Sequence, residues 1–150
     1  MKEQTKQINH EEEIEVSMGS CVNFTSTAVQ YLANNKFQNK LTYALSRMIK
    51  QLKPIIEEFN EELEDVRIEL ASTDKNGNLI INKDTNNYVF TPDNTKKVKE
   101  KIKELREKTV KVKPYITTSI PTDLELVWYQ HFIPFVLEDN PPEAKIKKLQ

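Results

Sequence analysis

The fold is decided by residues 41–70, which read LTYALSRMIKQLKPIIEEFNEELEDVRIEL. Apolar residues recur there at steps of four and three, the spacing that places them along one side of a long helix. The polar residues between them are mainly glutamate and lysine, which predicts that the other sides face water. The apolar positions, called the seam below, are Leu41, Leu45, Met48, Leu52, Ile55, Phe59, Leu63, Val66 and Leu70. A seam this narrow is typical of a helix that packs against another helix.

Pro54 stands in the middle of the seam. A proline in a helix interior removes a backbone hydrogen bond and costs about 3 kcal/mol, so two helices meeting there would be the usual interpretation. Leu52, Ile55 and Phe59, however, keep the four–three spacing across the proline. We therefore predict one helix over about residues 37–72, bent at Pro54.

The chain beyond this helix predicts a hairpin and a second long helix. The turn sequence DKNGN at residues 74–78 precedes two runs rich in β-forming residues, at 79–81 and 88–90, which predict a small two-stranded hairpin. Thr91 and Pro92 are typical of a helix start. Because a hairpin joins the two helices, we predict that they lie antiparallel.

Two further strands and a helix are predicted around this helical pair. Alternating apolar residues at 14–18 predict a strand that ends at Gly19, and the helix after it, within residues 21–32, would be capped by Thr25 or Ser26. Valines alternate with lysines at 110–113, which predicts a strand that returns beside the first one, in position to pair with it.

An aromatic-rich segment follows, and it predicts a terminal helix. Its apolar residues are Leu124, Val127, Trp128, Tyr129, Phe132 and Phe135. Tryptophan and tyrosine often anchor interfaces, so one interpretation of the aromatic group is a partner-binding edge. The other interpretation is a plug that closes the core at the base of the helical pair. The sequence favours neither.

These elements predict a mostly helical α+β fold: a long bent antiparallel helical hairpin, a small β-hairpin at its tip and a short two-stranded element at its base. The chain has 150 residues, enough for one domain with a real core. We place that domain at residues 14–138, between a flexible charged leader over 1–13 and a flexible tail over 139–150.

Composition argues against several classes of partner. Only two glycines are present, which disfavours phosphate-cradling loops. The formal net charge is −1, and the lysine-rich stretch at 96–108 is interrupted by glutamates and contains no aromatic residues, so a nucleic-acid partner is not expected. The sequence contains no long apolar run and no secretory signal, so a membrane partner is not expected either.

Few residues in the chain suggest catalysis or metal binding. One cysteine and two distant histidines, His10 and His131, do not supply a zinc ligand set, and no cofactor is expected. The carboxylates at 57–65 lack the Glu-x-x-His element of di-metal bundles and are interpreted as a solvated face. A nucleophile–base pair of Cys21 and His131 is the remaining enzymatic hypothesis. The simpler interpretation is a buried thiol at Cys21 and a packed, partly buried ring at His131.

Three segments carry a family resemblance: KLTYALSRMIKQLKPIIEE at residues 40–58, DKNGN at 74–78, and residues 91–113 with their closing valine-rich strand. In this order they resemble a small family of tailed-phage and prophage proteins of unknown function. Members are often encoded among late structural genes, so the resemblance implies a virion or tail-assembly accessory role. It also implies synthesis in the host cytoplasm, with the virion as a further location. The family has no known catalytic residues to carry over.

We therefore predict a non-enzymatic structural or assembly accessory protein that acts through protein–protein contacts, by self-association or with other virion proteins. The seam is much longer than the matching apolar row of the second helix, so its unmatched part needs the terminal helix or a second subunit. The expected contact residues are Leu41, Leu45, Met48, Trp128, Tyr129, Phe132 and Phe135. The alternatives are a small inhibitor or adaptor that binds a host protein through the acidic helix, and an unrecognised enzyme centred on Cys21 and His131.

Overall fold

The computed structural model describes residues 12–35 and 37–138 of the chain. The predicted tail at 139–150, and the predicted leader up to residue 11, lie outside the described residues. Four helices and two antiparallel two-stranded sheets make up the described part, which confirms the mostly helical α+β class. In chain order the elements are β1 Ile14–Ser17, α1 Met18–Asn34, α2 Lys40–Leu70, β2 Ile81–Asn82, β3 Asn87–Tyr88, α3 Pro92–Glu107, β4 Thr109–Val112 and α4 Leu126–Phe132.

The seam forms one helix, as predicted, and α2 continues through Pro54 without interruption. It begins at Lys40, later than the prediction of about residue 37, because Asn39 caps it. The Asn39 side chain accepts from the Thr42 backbone N–H at 2.8 Å, and the Asn39 N–H donates to the Thr42 hydroxyl at 2.9 Å. This reciprocal capping box satisfies two backbone donors and sets the first turn.

The start of α3 matches the prediction, and the predicted hairpin is present at the far end of α2, but its strands lie at Ile81–Asn82 and Asn87–Tyr88 instead of 79–81 and 88–90. The Val89 N–H donates to the Ile80 carbonyl at 3.2 Å, which joins the two sides of the hairpin. The Thr91 hydroxyl accepts from the Asn94 N–H at 3.1 Å, and Pro92 is the first residue of α3. The Asn94 side chain also donates to the Leu70 carbonyl at 2.9 Å, which fastens the start of α3 to the end of α2.

The first helix differs from the prediction. It begins at Met18, and its N-cap is Ser17, whose hydroxyl accepts from the Ser20 N–H at 3.1 Å. The predicted strand end at Gly19 and the predicted caps Thr25 and Ser26 are wrong. Gly19 lies in the first turn, next to the Arg106 side chain of α3: a Cβ on Gly19 would stand 3.2 Å from Nη2 of Arg106. The glycine permits this contact between helices and does not break the chain into a new element.

β1 and β4 pair as predicted. They are antiparallel, with Ile14 opposite Val112 and Ser17 opposite Thr109. Just beyond β4, the Gln51 side chain of α2 clamps the backbone of Lys113: its amide nitrogen donates to the Lys113 carbonyl, and its oxygen accepts from the Lys113 N–H, each at 2.8 Å. This pair of bonds fastens the end of the sheet to α2.

The core lies at one end of the molecule, which we call the base: α1, residues 40–53 of α2, the β1–β4 sheet, and residues 114–138. The other end, called the arm, comprises residues 54–70 of α2, the β2–β3 hairpin and α3. The base holds the cluster of buried residues, whose members are Cys21, Phe24, Ala28, Tyr31, Leu41, Ala44, Leu45, Met48, Leu52, Val112, Leu124, Tyr129, Phe132, Phe135, Val136 and Leu137. In the arm, the buried hydrophobic side chains are Phe59 and Val98.

The terminal helix is shorter than predicted. α4 spans Leu126–Phe132, and Phe135 lies in the turn that follows it. Val127, predicted to lie on its apolar face, is instead 53% exposed. The helix is short because the residues after it enter the core in a turn. The Tyr115 N–H donates to the Phe135 carbonyl at 2.9 Å, and the Thr117 N–H donates to the Val136 carbonyl at 2.8 Å. The turn after α4 therefore does part of the packing that the prediction gave to a helix.

Candidate interaction surface

The residues predicted as contacts do not form a surface. Leu41, Leu45 and Met48 are 0% exposed, and α1 and the segment around α4 cover them. Side chains without exposed area cannot contact a partner, so this prediction is wrong for the fold as it stands. The unmatched part of the seam is satisfied within the chain, partly by the terminal segment, as one alternative proposed, and partly by α1.

The aromatic group forms the plug, not the partner-binding edge. Phe135 stacks on Phe24 of α1 with ring centroids 4.5 Å apart, and Phe132 meets the Tyr31 ring edge-on at 5.4 Å. Tyr129 is also buried, and this burial raises the pKa of its phenol. Trp128 alone of the group is half-buried, edge-on to Tyr31 at 5.3 Å. These side chains hold α4 on α1.

The geometry does not support a Cys21–His131 pair. The Cys21 side chain is 0% exposed, and burial raises the pKa of its thiol to about 11, so it is protonated at neutral pH and out of reach of a substrate. The predicted burial of the thiol is confirmed. His131 is exposed, not partly buried as predicted, and its Nδ1 lies 2.7 Å from the Val127 carbonyl of its own helix.

The side of α2 that faces away from the core has a regular pattern of its own. Its exposed residues also recur at steps of four and three, so they form a second row along the helix. This row, called the outer stripe, consists of Tyr43, Arg47, Lys50, Pro54, Glu57, Glu61, Glu64 and Ile68. Every one of these side chains is exposed, so the outer stripe is the face of α2 that is open to solvent.

Charge changes sign along α2 at Pro54. Before the proline the charged residues are all basic, at Lys40, Arg47, Lys50 and Lys53. After it they are almost all acidic, at Glu57, Glu58, Glu61, Glu62, Glu64, Asp65 and Glu69, with Arg67 as the exception. An ion pair between α2 and the C-cap of α3 joins Glu62 to Lys108 at 4.0 Å, with both side chains exposed to solvent. An exposed pair at this distance contributes at most about 1 kcal/mol.

Aromatic residues hold a charged side chain near each end of the outer stripe. In the base, the Arg47 guanidinium donates to the Tyr43 hydroxyl at 3.2 Å and lies 5.3 Å from the centre of the Tyr115 ring. This arrangement raises the pKa of Arg47, chiefly through that hydrogen bond. In the arm, the Tyr88 hydroxyl donates to Glu64 at 2.5 Å, which raises the pKa of the tyrosine. Both charges are held in position before any partner binds.

The tip of the arm carries the second exposed feature. Leu79, Ile80 and Ile81 are consecutive and are 37%, 38% and 41% exposed. Successive residues of an extended chain point to opposite faces, so each face of the hairpin leaves some apolar surface exposed. Below the tip is a groove lined by Glu64, Arg67, Ile81, Asn86, Asn87, Tyr88 and Phe90.

Within the described residues, no group of three or more His, Cys, Asp or Glu side chains is placed to hold a metal ion. None of the described helices is both long enough and apolar enough to span a membrane. No family model matches the sequence, and comparison with curated proteins and with solved structures finds no significant match.

The outer stripe was missed at the level of sequence, although its signal is there. The four–three spacing was sought only among apolar residues. The same spacing at Tyr43, Arg47 and Lys50 was therefore interpreted as ordinary solvated surface. The change of charge sign at Pro54 is also plain in the sequence. Exposure of the tip was not predicted because a hairpin at the end of a helical pair was expected to lean on the helix ends.

Proposed function

We propose that this chain is a non-enzymatic structural or assembly accessory protein of a tailed phage or prophage, and that it acts through protein–protein contacts. The observation that supports this most directly is the exposed aliphatic run Leu79–Ile81 at the tip of the arm. Contiguous apolar residues left open on a hairpin are typical of a contact site. The phage setting is supported by the family resemblance of residues 40–58, 74–78 and 91–113.

The arrangement of the two ends suits such a role. The base buries a continuous core, whereas the arm is a helical pair whose far end offers apolar side chains away from that core. An accessory protein of this design would fold around its base and contact a neighbouring subunit with its tip. The buried, protonated Cys21 gives the enzymatic alternative no nucleophile, so we do not favour it.

The test is quantitative mass spectrometry of purified particles from the phage that encodes the chain. We expect the wild-type chain at a fixed ratio to the major structural proteins, and we expect Ile80→Asp, which puts a charge in the apolar tip, to reduce its incorporation at least about tenfold. The matched control is Val127→Asp, which places the same charge at an exposed apolar position of the base. This variant should be incorporated like the wild type.

Two outcomes would contradict the proposal. Absence of the wild-type chain from particles, together with a tight complex with one host protein, would favour the inhibitor or adaptor alternative. Equal loss of incorporation for Ile80→Asp and Val127→Asp would show that the tip is not the contact. Circular dichroism of both variants confirms that any loss is not a loss of folding.

A further inference from the structure

We propose that the outer stripe of α2 binds the outer stripe of a second copy of this chain, with the two helices antiparallel about a two-fold axis at the midpoint between Ile55 and Ile56. The inference rests on the proposed function in one respect only, that the chain works by protein contacts. It adds the partner, the surface and the register.

The register follows from the positions of the charges. A two-fold axis at that midpoint places Arg47 opposite Glu64 of the second copy and Lys50 opposite Glu61 of the second copy. Because the axis is two-fold, each contact occurs twice, once from each chain. The midpoint lies at the centre of α2, which spans Lys40–Leu70, so the whole length of the helix is used.

The ends of the stripe are also complementary. In this register Tyr43, which is 51% exposed, meets Ile68 of the second copy, which is 41% exposed. An aromatic and an aliphatic side chain would bury their apolar surface at each end of the interface. Tyr115 lies beside Arg47 and Tyr88 lies beside Glu64, so each charge of the pair has an aromatic neighbour in its own chain.

Charge selects this arrangement over the alternative direction. In a parallel pair the basic half of one α2 would lie beside the basic half of the other, and the acidic halves would likewise repel. The antiparallel pair brings opposite signs together along its whole length. A second copy is therefore the partner that fits the outer stripe. Its acidic half complements the basic half of the first copy, and its basic half complements the acidic half.

The contact is polar and exposed, so the association should be modest and sensitive to salt. Raising the ionic strength from 0.1 to 1 M shortens the Debye length from about 10 to about 3 Å, which screens such pairs. We expect the dissociation constant to rise at least about tenfold over that range. Sedimentation equilibrium of the full chain measures this change directly.

The decisive experiment exchanges the charges between chains. Lys50→Glu leaves an acidic residue opposite Glu61, and Glu61→Lys leaves a basic residue opposite Lys50, so each variant alone should be monomeric. In an equimolar mixture the two substituted residues lie opposite each other with opposite charges. The unaltered Glu61 of one chain then lies opposite the unaltered Lys50 of the other. The mixture should therefore form a heterodimer. Lys97→Glu, an equal reversal on an exposed position of α3, is the control and should dimerise like the wild type.

The register has its own control. Glu57→Lys reverses a charge on the same stripe one step away from Glu61, and it does not face Lys50 in the proposed pairing. Mixed with Lys50→Glu, it should form no heterodimer, because Glu61 is then still opposite the new acidic residue. Heterodimer formation in this mixture would overturn the register.

The proposal fails if the wild-type chain is monomeric at millimolar concentration in low salt. It also fails if Lys50→Glu and Glu61→Lys dimerise as well as the wild type, or if both are monomeric and their mixture stays so. All positions are exposed, and circular dichroism verifies that each variant is folded. If the wild type is monomeric, incorporation into particles still tests the proposed function. If the chain is absent from particles, the charge-exchange experiment still tests the dimer.

Discussion

The base and the arm are built on the same helix with the same apolar spacing, yet they are buried to very different depths. Before Pro54, the seam residues Leu41, Leu45, Met48 and Leu52 are all 0% exposed. After it, Phe59 is still buried, but Ile55, Leu63, Val66 and Leu70 are only half-buried. The difference lies in what surrounds the helix. In the base, α1, the sheet and residues 114–138 enclose the seam, whereas in the arm α3 covers it from one side.

The comparison teaches that a four–three pattern determines which side of a helix faces inward and not how much of that side is buried. Depth depends on the number of elements packed around the helix, and those elements come from distant parts of the chain. The base therefore resembles the core of a small domain, and the arm resembles an isolated helical pair. We expect the two regions to differ in stability as well.

The largest effect should come from one truncation made in both regions. Leu45→Ala in the base should lower the free energy of unfolding by about 2–5 kcal/mol, because it leaves a cavity in a fully packed core. Leu63→Ala makes the same chemical change at a half-buried seam position of the arm and should cost only about 1 kcal/mol. Urea denaturation measures both. Equal costs would show that the arm is packed as tightly as the base.

The border between the regions can be tested at Pro54. Pro54→Ala restores a backbone amide inside α2, which should raise the free energy of unfolding by about 2 kcal/mol. Part of this gain is offset because the unfolded chain becomes more flexible without the proline. Lys53→Ala, at the neighbouring exposed position, serves as the control and should change it by less than about 0.5 kcal/mol. A loss of stability in Pro54→Ala would mean that the predicted bend at the proline is needed for packing.

A smaller effect, confined to the arm, should follow loss of its helix cap. Thr91→Ala removes the acceptor for the Asn94 N–H and should weaken the start of α3 by about 1 kcal/mol. Thr91→Ser keeps a hydroxyl and should retain most of that stability. Hydrogen exchange of the α3 amides provides the measurement, with the α1 amides as an internal reference. If Thr91→Ala speeds the exchange of the α1 amides as much as that of the α3 amides, the arm does not open independently of the base.

The smallest effect should be a pH dependence of the tip. The Asp74 carboxylate accepts backbone N–H bonds from Asn76 at 2.8 Å and Asn78 at 3.0 Å, and these bonds lower its pKa, led by Asn78. A carboxyl whose pKa is lower in the folded state stabilises it above the unfolded pKa, and this contribution is lost as pH falls through the folded pKa. A carboxyl-detected NMR titration should therefore give a midpoint below the ordinary value of about 3.9. A midpoint at or above that value would contradict this account, and Asp74→Asn should remove the titration.

The sequence predicts best the elements whose signals are local. Thr91 and Pro92 mark the start of α3 correctly because cap and first-turn chemistry involve adjacent residues. The start of α1 was misplaced because Gly19 was interpreted as the end of a strand, whereas Ser17 caps the helix and Gly19 lies against Arg106, which is far away in the chain. The contact residues were misassigned for a similar reason: whether Leu41 or Phe132 faces a partner depends on which distant segment covers it. The outer stripe was readable from the sequence, but only in a search for periodicity among charged residues.

The turn at the tip has a practical consequence. Gly77 takes a φ of 85°, and a Cβ built on it would find nothing within 4 Å. The loop is held by the side chain of Asp74 and makes its bends without help from the rest of the protein. Foreign sequence grafted between Asn76 and Gly77 should leave both helices intact, since exposed loop tips accept insertions readily. The molecule thus offers a ready scaffold for displaying an epitope or a fluorophore at the end of a helical stalk.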